Sequence, residues 1–191
     1  MLCGIFVGGR ASRMGGMAKG LLPAPETGEP LVARLARLAV ELGCEPVLVG
    51  ASTEVQAALP ALRTIDDRPA GIGPLGGLAG LLHAGAQSQV VALACDLPFV
   101  SRDLLARLLE TTLEAPAQVL AVRADNGLWE PLCARYDAAA LVPHVERAIA
   151  DGVRSFQKLF AALSVAELPV SQAQRRELDD WDTPEDVTRS R

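Results

Sequence analysis

Six apolar runs of strand length recur along the chain: "LCGIFV" (2–7), "PVLVG" (46–50), "LRTI" (62–65), "VVALAC" (90–95), "AQVLAV" (117–122) and "LWEPLCARY" (128–136). The first five are close to continuously hydrophobic, which is the pattern of strands covered on both faces. Helical spacing fills the gaps between them. "PLVARLARLAVELG" (30–43) places Leu31, Leu35, Leu38 and Leu42 on one face and ends at Gly43, a residue suited to closing a helix. "SRDLLARLLETTL" (101–113) opens on a serine cap and repeats leucines at helical intervals, and "PLGGLAGLLHAGA" (74–86) reads as a third helix despite its glycines. Strands alternating with helices imply parallel βαβ units, so the expected fold class is a three-layer α/β/α arrangement around a mostly parallel sheet. The turn "ADNG" (124–127) predicts an antiparallel hairpin of 117–122 with 128–136, which makes the sheet mixed.

Composition agrees. At 191 residues with no internal repeat, linker or composition break, the chain is expected to form one domain, residues 1–191. Half the residues are hydrophobic but only 4% are aromatic, so the core is aliphatic and an aromatic-rich β-sandwich is disfavoured. A formal net charge of -5 leaves no basic excess for a general nucleic-acid binder. The N-terminus carries no charged leader region, and no apolar run approaches the roughly 20 residues of a membrane span, so a soluble, cytoplasmic chain is expected. Cys3, Cys44, Cys95 and Cys133 are widely spaced and form no CxxC pair, which fits reduced, buried thiols. His83 and His144 lie in helical patterns without partners and read as structural or exposed.

The chemistry concentrates at strand exits, where open α/β sheets bind ligands. "GGRASRMGGMAKGL" (8–21) follows the first strand with five glycines, two arginines and a lysine. It matches neither G-x-x-x-x-G-K-[ST] nor G-x-G-x-x-G. Gly8, Gly9, Gly15 and Gly16 can expose backbone N–H groups to phosphate oxygens while Arg10, Arg13 and Lys19 supply charge; the bland counterpart is a surface turn with solvated cations. Asp96 leaves the run "VVALAC" at the mouth of the same region, where it would hold Mg²⁺ or serve as a turn residue. "DTPED" (182–186) is an ordinary helix start, with Thr183 as cap and Pro184 in the first turn, and Asp182 is the residue that start does not use. Asp66, Asp67 and Arg68 form a polar turn before Pro69, with or without a ligand role.

Taken in order, these segments resemble the molybdenum cofactor guanylyltransferases, members of the nucleotidyltransferase group with a Rossmann-like fold. "FVGGRASRMGGMAKGLL" is similar to the family's opening pattern L-A-G-G-x-S-x-R-M-G-x-x-K, with Val7 for the usual alanine and one extra residue before Lys19. The likeness continues through "GPLGGL" (73–78), "ACDLPFV" (94–100), "EPLCARY" (130–136), "SFQKLF" (155–160) and "DDWDTPEDV" (179–187), essentially the whole chain. Two departures stand out. Asp180 and Asp182 replace the asparagines of N-x-N-T-P-E-D, and "LVGAST" lacks an asparagine that some guanylyl enzymes carry near the base.

The resemblance implies GMP transfer from Mg²⁺-GTP to the phosphate of molybdenum-molybdopterin, with release of pyrophosphate. By position it implies nucleotide contacts from Val7, Gly8, Gly9, Pro74, Leu75 and Gly76, and a nucleoside contact from Asp67 or Asp66. Arg13 and Lys19 would serve the phosphates, and Asp96, with Asp182 beside it, would hold the metal. Transient contacts with other cofactor-biosynthesis proteins, molybdoenzymes or their chaperones are implied too. The alternatives are a CTP-using sibling, another small-molecule nucleotidyltransferase, or a nucleotide-binding module without chemistry.

Overall fold

The computed structural model describes residues 1–8, 18–181 and 183–189. Its strands are β1 (Leu2–Phe6), β2 (Glu45–Val49), β3 (Thr64–Ile65), β4 (Gln89–Ala94), β5 (Val119–Arg123), β6 (Trp129–Asp137) and β7 (Val165–Glu167). They form one sheet in the order β3-β2-β1-β4-β6-β5-β7. β1 to β4 run parallel, β6 is antiparallel to both of its neighbours, and β7 is parallel to β5. The hairpin expected from "ADNG" is present, but its second strand also inserts between β4 and β5.

The helices are α1 (Leu31–Glu41), α2 (Thr53–Ala58), α3 (Pro74–Ala84), α4 (Arg102–Glu110), α5 (Ala138–Ala150), α6 (Phe156–Phe160), α7 (Gln172–Arg176) and α8 (Pro184–Arg189). They explain why the strands are apolar throughout. Leu48, Leu93 and Leu120 pack on one face with Leu35 of α1 and Leu104 and Leu108 of α4. Val47, Val49, Ala92 and Ala121 turn to the other face, against Leu78 and Leu81 of α3 and Leu141 and Val145 of α5. Successive side chains alternate between two buried faces, so no polar alternation survives in the sequence.

Local signals act as expected at several ends. Ser101 Oγ accepts the Leu104 N–H at 3.1 Å and starts α4. Gly43, at φ 74°, closes α1, and the Cys44 N–H returns to the Ala39 carbonyl at 2.9 Å. α4 ends at Glu110, short of the periodic pattern: Thr111 turns extended, its hydroxyl donating to the Arg107 carbonyl at 2.7 Å, and the buried Arg135 guanidinium donates to the Leu109 and Thr111 carbonyls. The glycines of α3 mark close packing. A methyl group on Gly77 would stand 2.9 Å from Phe6 and Val49, and one on Gly76 would stand 2.6 Å from the Pro69 carbonyl oxygen. β7 and α5 are not announced by the sequence: β7 has three residues, and Pro143 interrupts the pattern of α5.

Candidate functional site

The chain proceeds outward from β1 to β2 and β3 and then returns on the other side of β1 as β4, so strand order reverses between β1 and β4. The crevice beyond their carboxyl ends is where such sheets take ligands. On the β2 and β3 side it has a wall of bare backbone. The Val7 N–H extends the ladder to the Val49 carbonyl at 3.0 Å and delivers Gly8 against Gly50. A methyl group on Gly50 would come within 3.2 Å of the Gly8 Cα and 3.6 Å of Asp67 Oδ1; one on Gly77 would reach 3.3 Å from the same oxygen. Gly50 itself sits at φ 85°, open to glycine and strained for other residues.

Asp67 therefore lies half-buried against this wall, while the Asp66 side chain is exposed. Burial, and secondly the Asp66 charge, raise the Asp67 carboxyl above its ordinary range. Pro74 opens α3 beside it, and the Arg68 N–H donates to the Gly76 carbonyl at 2.8 Å, which ties the polar turn to the helix start. Leu75 is 1% exposed and belongs to the core beneath this helix start.

Across the crevice, Lys19 Nζ lies 2.9 Å from Asp96 Oδ2, with about a fifth of each side chain exposed (21% and 18%). Lys19 begins a single 3-10 turn, Lys19–Leu21. The next residue, Gly20, is buried between Cys95 and Val32, where a Cβ would already stand 3.4 Å from each. The turn thus rests against Cys95, the residue before Asp96, and Lys19 at its start meets Asp96. The Cys95 N–H continues the sheet to the Phe6 carbonyl at 3.3 Å, which fixes Asp96 at its edge.

The C-terminal segment closes on the same point. α7 opens with a capping box between Ser171 and Gln174 and is held on α4 by Arg107 to Gln174, 2.6 Å, and by the Ser101 N–H to Glu177, 2.9 Å. The chain then runs to Trp181, whose N–H donates to the Asp96 carbonyl at 3.1 Å and whose ring meets Phe99 edge-on at 6.2 Å. Asp180 thus stands beside Asp96 by backbone connection. α8 follows as the start "DTPED" predicts, with the Thr183 N–H and hydroxyl both donating to Asp186 Oδ2 at 2.8 Å.

Beyond Asp96, on the β6 side, lies a residue not singled out by sequence reasoning. Glu130 is half-buried, and burial first, then the Asp180 charge, raise its carboxyl above the ordinary range. The signal for it was present in the motif "EPLCARY", but with no role attached.

Of the expected site residues, the structure gathers Val7, Gly8, Asp67, Pro74, Leu75 and Gly76 on one wall and Lys19 and Asp96 on the other. Gly9, Arg10, Arg13, Gly15, Gly16 and Asp182 lie outside the described residues. Cys3, Cys44, Cys95 and Cys133 are buried, and burial pushes the Cys95 and Cys133 thiols up to about 12, away from thiolate chemistry. His83 Nε2 pairs with Glu146 at 2.9 Å, and His144 is exposed. Among the described residues, no group of three or more His, Cys, Asp or Glu side chains is placed to hold a metal. A lone Asp96 nevertheless suits Mg²⁺, which binds one or two carboxylates and completes its shell with substrate phosphates and water. No helix among the described residues is long and apolar enough to cross a membrane.

The model of the MobA-like NTP transferase domain matches residues 3–167. A Pseudomonas putida protein named molybdenum cofactor guanylyltransferase is 34% identical over 95% of this chain and 92% of its own length. A probable molybdenum cofactor guanylyltransferase from Opitutus terrae is 32% identical over 100% of this chain and 95% of its own length. Among solved structures, molybdopterin-guanine dinucleotide biosynthesis protein A from Archaeoglobus fulgidus superposes with a TM-score of 0.79 at 25% identity, covering 100% of this chain and 96% of that one.

Proposed function

The chain belongs to the MobA-like NTP transferase family and is a nucleotidyltransferase; from that premise we propose that it transfers GMP from Mg²⁺-GTP to the phosphate of molybdenum-molybdopterin and releases pyrophosphate. The names of the relatives support the acceptor and the base. The observation that carries the reading is the pairing of Lys19 with Asp96 at 2.9 Å, facing the glycine wall that presents Asp67.

The reaction makes one bond and breaks one. An oxygen of the acceptor phosphate attacks the α-phosphorus of GTP, and the bond from that phosphorus to the β-phosphate bridging oxygen breaks. The acceptor oxygen is already anionic near neutral pH, so alignment and charge stabilisation carry the catalysis. Gly8 and the first turn of α3 admit the nucleoside at close backbone range, and Asp67 takes hydrogen bonds from it. Lys19, and Arg13 by its place in the opening motif, neutralise charge on the departing pyrophosphate. Asp96 would hold the magnesium, with Asp182 as a second carboxylate. When bound, the ion supplies Lewis-acid stabilisation at the phosphates. The Lys19 ammonium also balances the Asp96 charge.

Calorimetric titration with GTP, CTP, ATP and UTP, with and without Mg²⁺, tests this reading. A metal-dependent preference for GTP is expected. A preference for CTP would replace the guanylyl assignment with its cytidylyl sibling, and equal affinities would remove base selection from the account.

A further inference from the structure

We propose that Glu130 is the acceptor-recognition residue of this site, its carboxylate taking paired N–H donors from the acceptor's bicyclic ring. The proposal rests on the molybdopterin reading of the acceptor above.

Position comes first. The nucleotide wall is built from β1, β2, β3 and α3, whereas β6 lies on the far side of β4. Glu130 therefore stands across Asp96 from that wall, near Asp180, whose neighbour Trp181 is bonded to the Asp96 carbonyl. An acceptor delivering its phosphate to the Asp96 edge must extend its ring away from the nucleotide, which leads towards β6.

The mounting of Glu130 is the second observation. Ala121 of β5 pairs with Ala134, yet the next residue, Val122, pairs with Glu130, so Pro131, Leu132 and Cys133 bulge out of that ladder. Bulges of this kind re-aim side chains beside active sites. Here both flanks are pinned by side chains. Gln157 accepts the Trp129 N–H at 3.2 Å and donates to the Trp129 carbonyl at 2.8 Å. On the other flank, the fully buried Tyr136 hydroxyl donates to the Pro131 carbonyl at 2.6 Å. The motifs "EPLCARY" and "SFQKLF" thus meet to hold one glutamate in place.

Third, the carboxyl so held has no hydrogen-bond donor among the described residues, although it is half-buried. A rigid acceptor group in that state is completed by N–H groups of a ligand. A pterin offers a ring N–H and an adjacent exocyclic amino group, a donor pair that a carboxylate oxygen pair can match.

Fluorescence titration tests this with 6-hydroxymethylpterin phosphate and its lumazine counterpart, in which an oxo group replaces the 2-amino group. The wild-type protein should bind the pterin at least about tenfold more tightly, since a site built around a donor rejects the analogue lacking it. Glu130→Gln should shrink that preference to about twofold or less, while the GTP dissociation constant and the thermal midpoint stay unchanged. Equal binding of the two probes by the wild type, no pterin binding by a protein that binds GTP, or a preference intact in Glu130→Gln would each overturn the assignment. So would a loss of GTP affinity in that variant. A pterin preference that depends on Glu130 in a protein without GTP preference would uphold Glu130 and refute the guanylyl reading instead.

Discussion

Gly76→Ala probes how tightly α3 is laid onto the turn that carries Asp67. The added methyl would stand 2.6 Å from the Pro69 carbonyl oxygen, 3.0 Å from Ile72 Cγ1 and 3.2 Å from Asp67 Cβ. Ile72 can rotate, but the carbonyl is backbone and the Arg68 N–H is already bonded to the Gly76 carbonyl at 2.8 Å. The helix start and the 67–69 turn must therefore move apart. Overpacking of this kind costs about 1–3 kcal/mol, and alanine returns about 0.4–1 kcal/mol by restricting the unfolded chain. The expected net loss is ~1–2 kcal/mol. With a urea m-value of roughly 2 kcal/mol/M, the unfolding midpoint should fall by about 0.5–1 M. Because the displaced groups include Asp67, nucleotide affinity should fall in the same variant. An unchanged or higher midpoint would show that the turn yields without cost, and would refute the argument that the α3 glycines exist for close packing.

Three further outcomes follow from the site. Lys19→Ala should lower kcat/KM by about 10²–10³ with the fold retained; an unchanged rate in steady-state assays would remove Lys19 from the reaction. Asp96→Asn should raise the Mg²⁺ concentration needed for half-maximal activity far more than Asp103→Asn, a change in the exposed first turn of α4, and equal effects would return Asp96 to an ordinary turn residue. Asp67 has a folded-state pKa raised by burial and by Asp66, so the folded protein binds more protons just above the ordinary value of 3.8, and stability falls as pH rises through the raised pKa. Asp67→Asn should flatten that part of the stability profile and leave the protein at least as stable at neutral pH, while weakening nucleotide binding. A variant that is less stable at neutral pH would show that the carboxylate is structural.

How much of this was legible depends on the range of the interaction. The aliphatic runs report burial on two faces, and a serine three residues before the N–H it caps can be read locally, so most of the sheet, α1, α3 and α4 follow from the chain. β7 has three residues and no periodicity to detect, and its strand order depends on the fold around it. Asp66 and Asp67 are adjacent and chemically alike; only the approach of Gly50 and Gly77 to one of them separates their environments. Lys19 and Asp96 are 77 residues apart, and their contact depends on how the turn after the opening loop packs against the end of β4, which no local pattern reports. Glu130 was hidden for a similar reason. Its mounting requires Gln157 and the Tyr136 hydroxyl, and the three-residue bulge that joins them is a property of pairing between strands.

The most direct test of the central claim is a transfer assay with GTP labelled at the α-phosphorus, molybdenum-molybdopterin and Mg²⁺. The label should appear in a guanine dinucleotide of the cofactor with stoichiometric release of unlabelled pyrophosphate, and none should transfer without the metal. Label that remains in GTP, while α-labelled CTP passes its label to the same acceptor, would contradict the guanylyltransferase assignment.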